Sequence, residues 1–293
     1  MSTPELQSLI ENYLTENPRP EGPLSKAEWQ EPAESDFHTD LAEIQKRISN
    51  HQIQKAVPVV FARSPQTVSS GERAQMILNL LSAPETLYVF GFWQKGQGVL
   101  GATPEVLFDY DHGLLQTMAL AGTCPKSDKA ERESLLLDEK EMQEHHFVVE
   151  DLTKRLSSWG EVQSHGPTIL ELPLLYHLKT DFQVKCTVKP DFRDLVMQLH
   201  PTPALGVAPR SAGYKWMQQL PGQEGRRGFG GPIAFLGTEE ALCLVAIRNL
   251  QWDQNESMIG SGCGVVAASE FSREWRELFQ KRLSVRKILG LKV

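Results

Sequence analysis

The sequence predicts an α+β fold in which layered antiparallel or mixed sheets carry helices on their outside. Three observations lead there. Two apolar runs, T-L-Y-V-F-G-F-W and G-V-L-G-A-T-P-E-V-L-F, are joined by the turn Q-K-G-Q-G, a hairpin signal. Segments with a 3.6-residue apolar period are interleaved with such strands rather than alternating strictly with them. The chain has 293 residues, 40% of them hydrophobic, enough to bury a substantial core in one large domain or two small ones.

Taken in order, residues 1–35 read as an N-terminal arm or linker, and residues 36–293 as the folded domain. The arm holds one short helical pattern (Leu6, Ile10, Leu14) followed by a piece rich in Pro, Glu and Ser. From Asp36 to Ser49 a helical period runs through Phe37, Leu41, Ile44 and Ile48 and leads into the strand P-V-V-F-A-R, Pro58 to Arg63. A second helix is expected over Arg73 to Leu81. In the hairpin that follows, Glu105 falls inside the second strand, and Leu114 to Thr123 reads as a further strand. One long helix is predicted from Lys129 to Leu156, with Glu141, Glu144 and His145 clustered on one side. The strand-like run around L-Y-H-L carries His177. After it come the helix D-F-R-D-L-V-M-Q-L, the proline-stiffened loop H-P-T-P-A-L-G-V-A-P-R, a helix near Ala212 to Gln219, and a solvated turn with Arg226 and Arg227. Paired strands I-A-F-L-G and A-L-C-L-V-A-I-R place Arg248 at a strand position beside the core, where its charge calls for an anionic partner. Gly260, Gly262 and Gly264 then form a nest suited to carboxylate or phosphate. The last helix puts Glu274, Glu277 and Lys281 on one face, beside Trp275, Leu278 and Phe279.

Composition narrows the function. A net charge of −7 with no basic block points away from nucleic acid and anionic membranes and toward a small molecule. No apolar run approaches a membrane span, and the start lacks a signal-peptide pattern, so a cytoplasmic location is expected. Four scattered cysteines lack zinc-ribbon or disulfide-framework spacing. The P-loop, the G-x-G-x-x-G turn, H-E-x-x-H and G-x-S-x-G are all absent. Carboxylates on two helices, Glu141 and Glu144 with Glu274 and Glu277, either share a hard divalent cation such as magnesium or are solvated helix glutamates. Glu105 is either a desolvated general acid or an edge-strand carboxylate facing water. His177 is ambiguous in the same way, a lone histidine being more often structural than catalytic.

The ordered motifs T-P-E-V-L, A-L-A-G-T, E-K-E-M-Q-E-H, H-P-T-P-A-L-G, R-R-G-F-G-G-P, V-A-I-R and G-C-G-V-V-A-A-S with E-W-R-E-L-F-Q-K resemble the chorismate-binding enzymes. That family includes isochorismate and salicylate synthases and the large components of anthranilate and aminodeoxychorismate synthases. The resemblance runs from Asp36 to the C-terminus and is greatest to isochorismate synthases. It implies an anthranilate synthase component I-like fold, chorismate as substrate and Mg2+ as cofactor, with a place in menaquinone or siderophore formation. By resemblance, Glu105 is the general acid on the C4 hydroxyl and His177 lies beside the ring. Arg248 would clamp the enolpyruvyl carboxylate, and Gly262, Gly264 and Lys281 would cradle the ring carboxylate. Gly122 and Thr123 would line the pocket, while Glu144 and Glu277 would hold magnesium with Glu141 and Glu274 close by. Ala121 stands where aminodeoxychorismate synthases carry a nucleophilic lysine, which excludes that covalent route. Two departures stand out. Pro58 occupies the position of the water-activating lysine, with Lys55 three residues earlier, an odd displacement that puts it on the opposite strand face unless a bulge intervenes. The N-terminal portion is shorter than is usual in the family, which implies a monomer or homodimer, or a protein partner supplying the missing strands.

Overall fold

The computed structural model describes residues 3–16, 26–126, 129–223 and 225–293; residues 17–25, most of the expected linker, lie outside that set. Seven helices occur among the described residues: α1 (Thr3–Glu16), α2 (Glu34–Ser49), α3 (Ser70–Leu81), α4 (Lys129–Ser134), α5 (Glu139–Leu156), α6 (Phe192–Leu199) and α7 (Phe271–Leu289). The strands are β1 (Lys55–Ala56), β2 (Val59–Ser64), β3 (Tyr88–Gln94), β4 (Gln97–Thr103), β5 (Val106–Asp111), β6 (Leu114–Pro125), β7 (Val162–Glu171), β8 (Leu175–Lys185), β9 (Val207–Ala208), β10 (Pro232–Leu236), β11 (Glu240–Val245), β12 (Asn249–Trp252) and β13 (Ser257–Gly262). They form a six-stranded sheet ordered β10-β11-β5-β6-β8-β7, a five-stranded sheet ordered β2-β13-β12-β4-β3, and the small pair β1-β9. All the strand pairings among the described residues are antiparallel. The layered α+β architecture expected from the patterning is therefore the one observed.

The chain passes between the two sheets at two places, and these set the site. The expected strand through Glu105 is in fact two: β4 ends at Thr103 in the five-stranded sheet, and β5 begins at Val106 in the other. Pro104, which has no N–H to give to a ladder, sits at the break. Arg248 likewise lies past the end of β11, not within it, in the crossing to β12, with a left-handed backbone at φ +55°. The crossings are tied to each other's strands, since Val245 N–H donates to Glu105 O at 3.1 Å and Ala102 N–H to Arg248 O at 3.2 Å. The fold thus holds a carboxyl and a guanidinium at one seam.

Other expectations shift for local reasons. The long helix breaks before Asp138, whose carboxylate accepts the N–H of Glu141 and starts α5 afresh. The helix near Ala212 to Gln219 is replaced by 3-10 turns at Arg210–Ala212 and Lys215–Gln219 on either side of Gly213, φ +65°. Gly260 and Gly262 lie in extended β13 rather than in a curled nest. Arg226 is no solvated turn residue, because its guanidinium donates to the carbonyls of Leu205 and Val57. Helix α3 begins with a capping box between Ser69 and Glu72. No helix among the described residues is long and apolar enough to cross a membrane.

Candidate active site

A cavity at the seam is lined by Glu105, Thr123, Glu144, His177, Arg248, Gly262, Gly264 and Lys281, together with apolar side chains including Leu205 and Phe229. Eight of the twelve site residues expected from the resemblance therefore line one cavity. The other four, Gly122, Glu141, Glu274 and Glu277, stand immediately behind it, each touching a wall residue or its partner.

Glu105 is 4% exposed. Burial pushes its carboxyl up to about 7, against the pull of Lys55, Lys281 and Arg248. That range suits a proton donor near neutrality. Arg248, also buried, is lowered to about 10 by desolvation despite the nearby Glu277 and Glu105. No carboxylate meets it directly among the described residues. One of its amino groups donates to Ser284 Oγ at 2.8 Å and the other faces His177 Nε2 at 3.1 Å. With that donor on Nε2, the His177 proton belongs on Nδ1, which lies 2.9 Å from Thr123 Oγ1. Burial, then Arg248 and Lys281, hold His177 well below its ordinary value, so it is neutral. It orients Arg248 and Thr123 and has no proton to spare.

The opposite wall is ionic. Lys140 Nζ lies 3.2 Å from Glu141, 3.1 Å from Glu144 and 2.9 Å from Glu274. Lys55, fully buried, reaches Glu144 at 3.1 Å, and Lys281 meets Glu277 at 2.5 Å while donating to Gly262 O at 2.7 Å. Burial alone would raise Glu144, but Lys55, Lys140 and Lys281 hold it below the usual carboxylate range. Burial raises Glu141 and Glu274, with neighbouring carboxylates adding to it. The N–H of Thr123 donates to Glu141 at 2.8 Å, linking this cluster to His177. Gly122, φ +83°, lets β6 bulge there, and a Cβ on it would approach Glu141 O at 2.9 Å. Gly264 has a stricter reason to be glycine, because a Cβ there would lie 1.9 Å from Glu144 Oε1. Helix α5 is pinned by His145, held near 4 by burial, whose ring contacts Ala121 O and Thr180 Oγ1.

The donor set suits a hard divalent cation. Four carboxylates face three lysine ammoniums, and among the described residues neither oxygen of Glu274, 1% exposed, has a hydrogen-bond donor, Oε1 meeting Lys140 as an ion pair at 2.9 Å. Among the described residues no three such side chains enclose a common point as they stand, because Lys140 sits among them. Lys140 escaped the sequence reading, since a lysine next to Glu141 and four residues before Glu144 looks like an ordinary surface pair.

Lys55 is the other surprise. Val59 pairs with Gly262 and Ala56 with Val265, so the register runs through the gap between β1 and β2 with no inserted residue. On that continuous strand Lys55, Val57 and Val59 share a face, and Val57 lines the cavity. The other face carries Ala56 and Val60, which pack with Phe37, Ile44 and Leu278 of α2 and α7. Pro58 belongs to this second face. The lysine that points at the carboxylates is Lys55.

Comparison with known proteins agrees with this geometry. A family profile described as "Chorismate binding enzyme" matches residues 3–290. The chain is 29% identical over 281 residues to the salicylate biosynthesis isochorismate synthase of Pseudomonas aeruginosa, covering 93% of this chain and 59% of that protein. It is 31% identical over 205 residues to the isochorismate synthase EntC of Escherichia coli K12, covering 67% and 52%. It therefore spans only a little over half the length of these relatives. In fold it is similar to the menaquinone-specific isochorismate synthase MenF of Escherichia coli, with TM-score 0.77, 23% identity, and 90% of this chain and 64% of that one covered. Anthranilate synthase component I of Streptococcus pneumoniae gives TM-score 0.77 at 20% identity, covering 99% and 67%. With the profile spanning nearly the whole chain, this protein belongs to the chorismate-binding enzyme family.

Proposed function

We propose that the chain is a magnesium-dependent enzyme of isochorismate-synthase type, which adds water at C2 of chorismate and expels the C4 hydroxyl. The observation that carries this reading is the buried carboxyl of Glu105, poised near 7, at one seam with Arg248 and facing a carboxylate–lysine cluster. Arg248 takes the enolpyruvyl carboxylate. Lys281 and the backbone of Gly262 and Gly264 take the ring carboxylate. Glu144 and Glu277 would hold magnesium, with Glu141 and Glu274 completing the negative field, and the ion would supply positive charge to the bound dianion. Glu105 gives its proton to the C4 oxygen, so that the C4–O bond breaks and water leaves, while the attacking water forms the C2–O bond and yields its proton to Lys55, whose ammonium burial holds below its ordinary value. The cavity is about 60 Å³, below the ~150 Å³ that admits a benzene ring. Substrate binding therefore requires the pocket to widen.

The place of the expected lysine is assigned to Lys55. Replacing Lys55 with Met is expected to cut turnover by about 10²-fold or more while chorismate binding, measured by calorimetry, survives. Pro58→Lys should restore nothing and cost stability, because that face is packed against α2 and α7. A gain of turnover in Pro58→Lys would refute the assignment.

The function is tested by incubating purified full-length chain with chorismate and magnesium and separating products by chromatography. Isochorismate is expected, lost on chelation and restored by magnesium. Fluorescent anthranilate formed on adding ammonium would favour the amine-using branch, to which the fold is also similar. Binding without any product would reduce the protein to a chorismate-binding partner.

A further inference from the structure

A second cavity, of about 250 Å³, lies behind Arg248. Its walls are apolar, from Leu87, Leu172, Leu175, Val285 and Ile288, and it also takes in Ser284 and Lys287. Exposed Pro84 and Lys287 mark its mouth. The space exceeds the ~150 Å³ that holds benzene. Among the described residues no carboxylate lines it.

Arg248 is the partition. It lines both cavities, and it donates through one amino group to Ser284, on the wall of the second, and through the other to His177, on the wall of the first. Its backbone, at φ +55°, fixes where the side chain leaves the seam. A guanidinium carries five N–H donors in a planar fork, so it has donors to offer on the Ser284 side without a change of backbone. Lys287 adds a second cation and has no ion-pair partner among the described residues. An apolar chamber with two cations and no anion selects a ligand with a compact apolar body and one anionic head.

We propose that this cavity binds a small aryl or branched aliphatic monocarboxylate, its carboxylate between Arg248 and Lys287 and its body against Leu87, Leu175 and Ile288. Because Arg248 is shared, occupation of this chamber weakens the grip of the first cavity on its own anion. The site stands apart from the chorismate reading and holds or fails without it.

The test is direct binding of 3-phenylpropionate to the purified full-length chain, followed by ligand-observed NMR and calorimetry, with 3-phenylpropanol as the uncharged control. Saturable one-site binding is expected, with the alcohol at least about tenfold weaker because it lacks a charge-assisted pair. Lys287→Glu, at an exposed position, should weaken the acid about fivefold or more and leave the alcohol unchanged. Ala83→Phe, at the mouth, should abolish binding of both. Absence of saturable binding, equal affinity for acid and alcohol, or affinity unchanged in both variants would overturn the proposal.

Discussion

Glu105→Gln is expected to lower turnover by about 10²- to 10⁴-fold with chorismate affinity nearly unchanged. The amide fills the same space at the seam between β4 and β5 but has no acidic proton. In the proposed role the protonated carboxyl is the donor, so wild-type turnover should fall as pH rises through about 7, where burial has placed this group. The sign for stability follows from the same shift. Folding raises the carboxyl from 4.5 to about 7, so its contribution is fully present below the lower value and is lost as pH rises through the upper one. Glu105→Gln should therefore gain thermal stability relative to the wild type above about pH 7 and not below 4.5. An unaltered pH–rate profile in the variant, with turnover retained, would remove Glu105 from the proton-donor role.

Gly264→Ala is the second change with a large expected effect. A single methyl would lie 1.9 Å from Glu144 Oε1 and 2.7 Å from Lys55 Cε, and both side chains are buried with little room to withdraw. Glu144 must turn away, which parts it from Lys55 and Lys140 and takes one carboxylate out of the cluster. We expect turnover to fall by about 10²-fold and the magnesium requirement to rise, with a stability cost of about 1–3 kcal/mol from overpacking. Gly262→Ala is the internal control, since its nearest neighbour would be at 3.1 Å. It should be clearly milder, and equal losses in the two variants would separate the defect from Glu144.

Much of this site could be read from the sequence because helical periodicity is regular. Glu141 and Glu144 on α5, and Glu274, Glu277 and Lys281 on α7, are spaced so that any helix shows them on one side, and the structure brings the two sides together. What escaped reading depends on events between elements. Glu105 and Arg248 look like strand residues, since alternation continues across Pro104 and up to Ile247; only pairing partners reveal that the chain changes sheet there. The left-handed backbone of Arg248 has no signature in an arginine. The parity that sets Lys55 opposite Pro58 holds, but the cavity lies on the face of Val57, which strand alternation alone does not mark. The glycines were legible as glycines but not in purpose: Gly264 is needed for the close approach of Glu144, not for a curled anion nest.

In the proposed reaction water attacks chorismate at C2 while Glu105 releases the C4 hydroxyl. It is tested most directly by running the magnesium-dependent reaction in water enriched in oxygen-18 and examining the product by mass spectrometry and carbon-13 NMR. We predict isochorismate carrying one solvent oxygen at C2, C4 having lost its hydroxyl. Product without solvent oxygen at C2, or no isochorismate from a chain that binds chorismate, would contradict it.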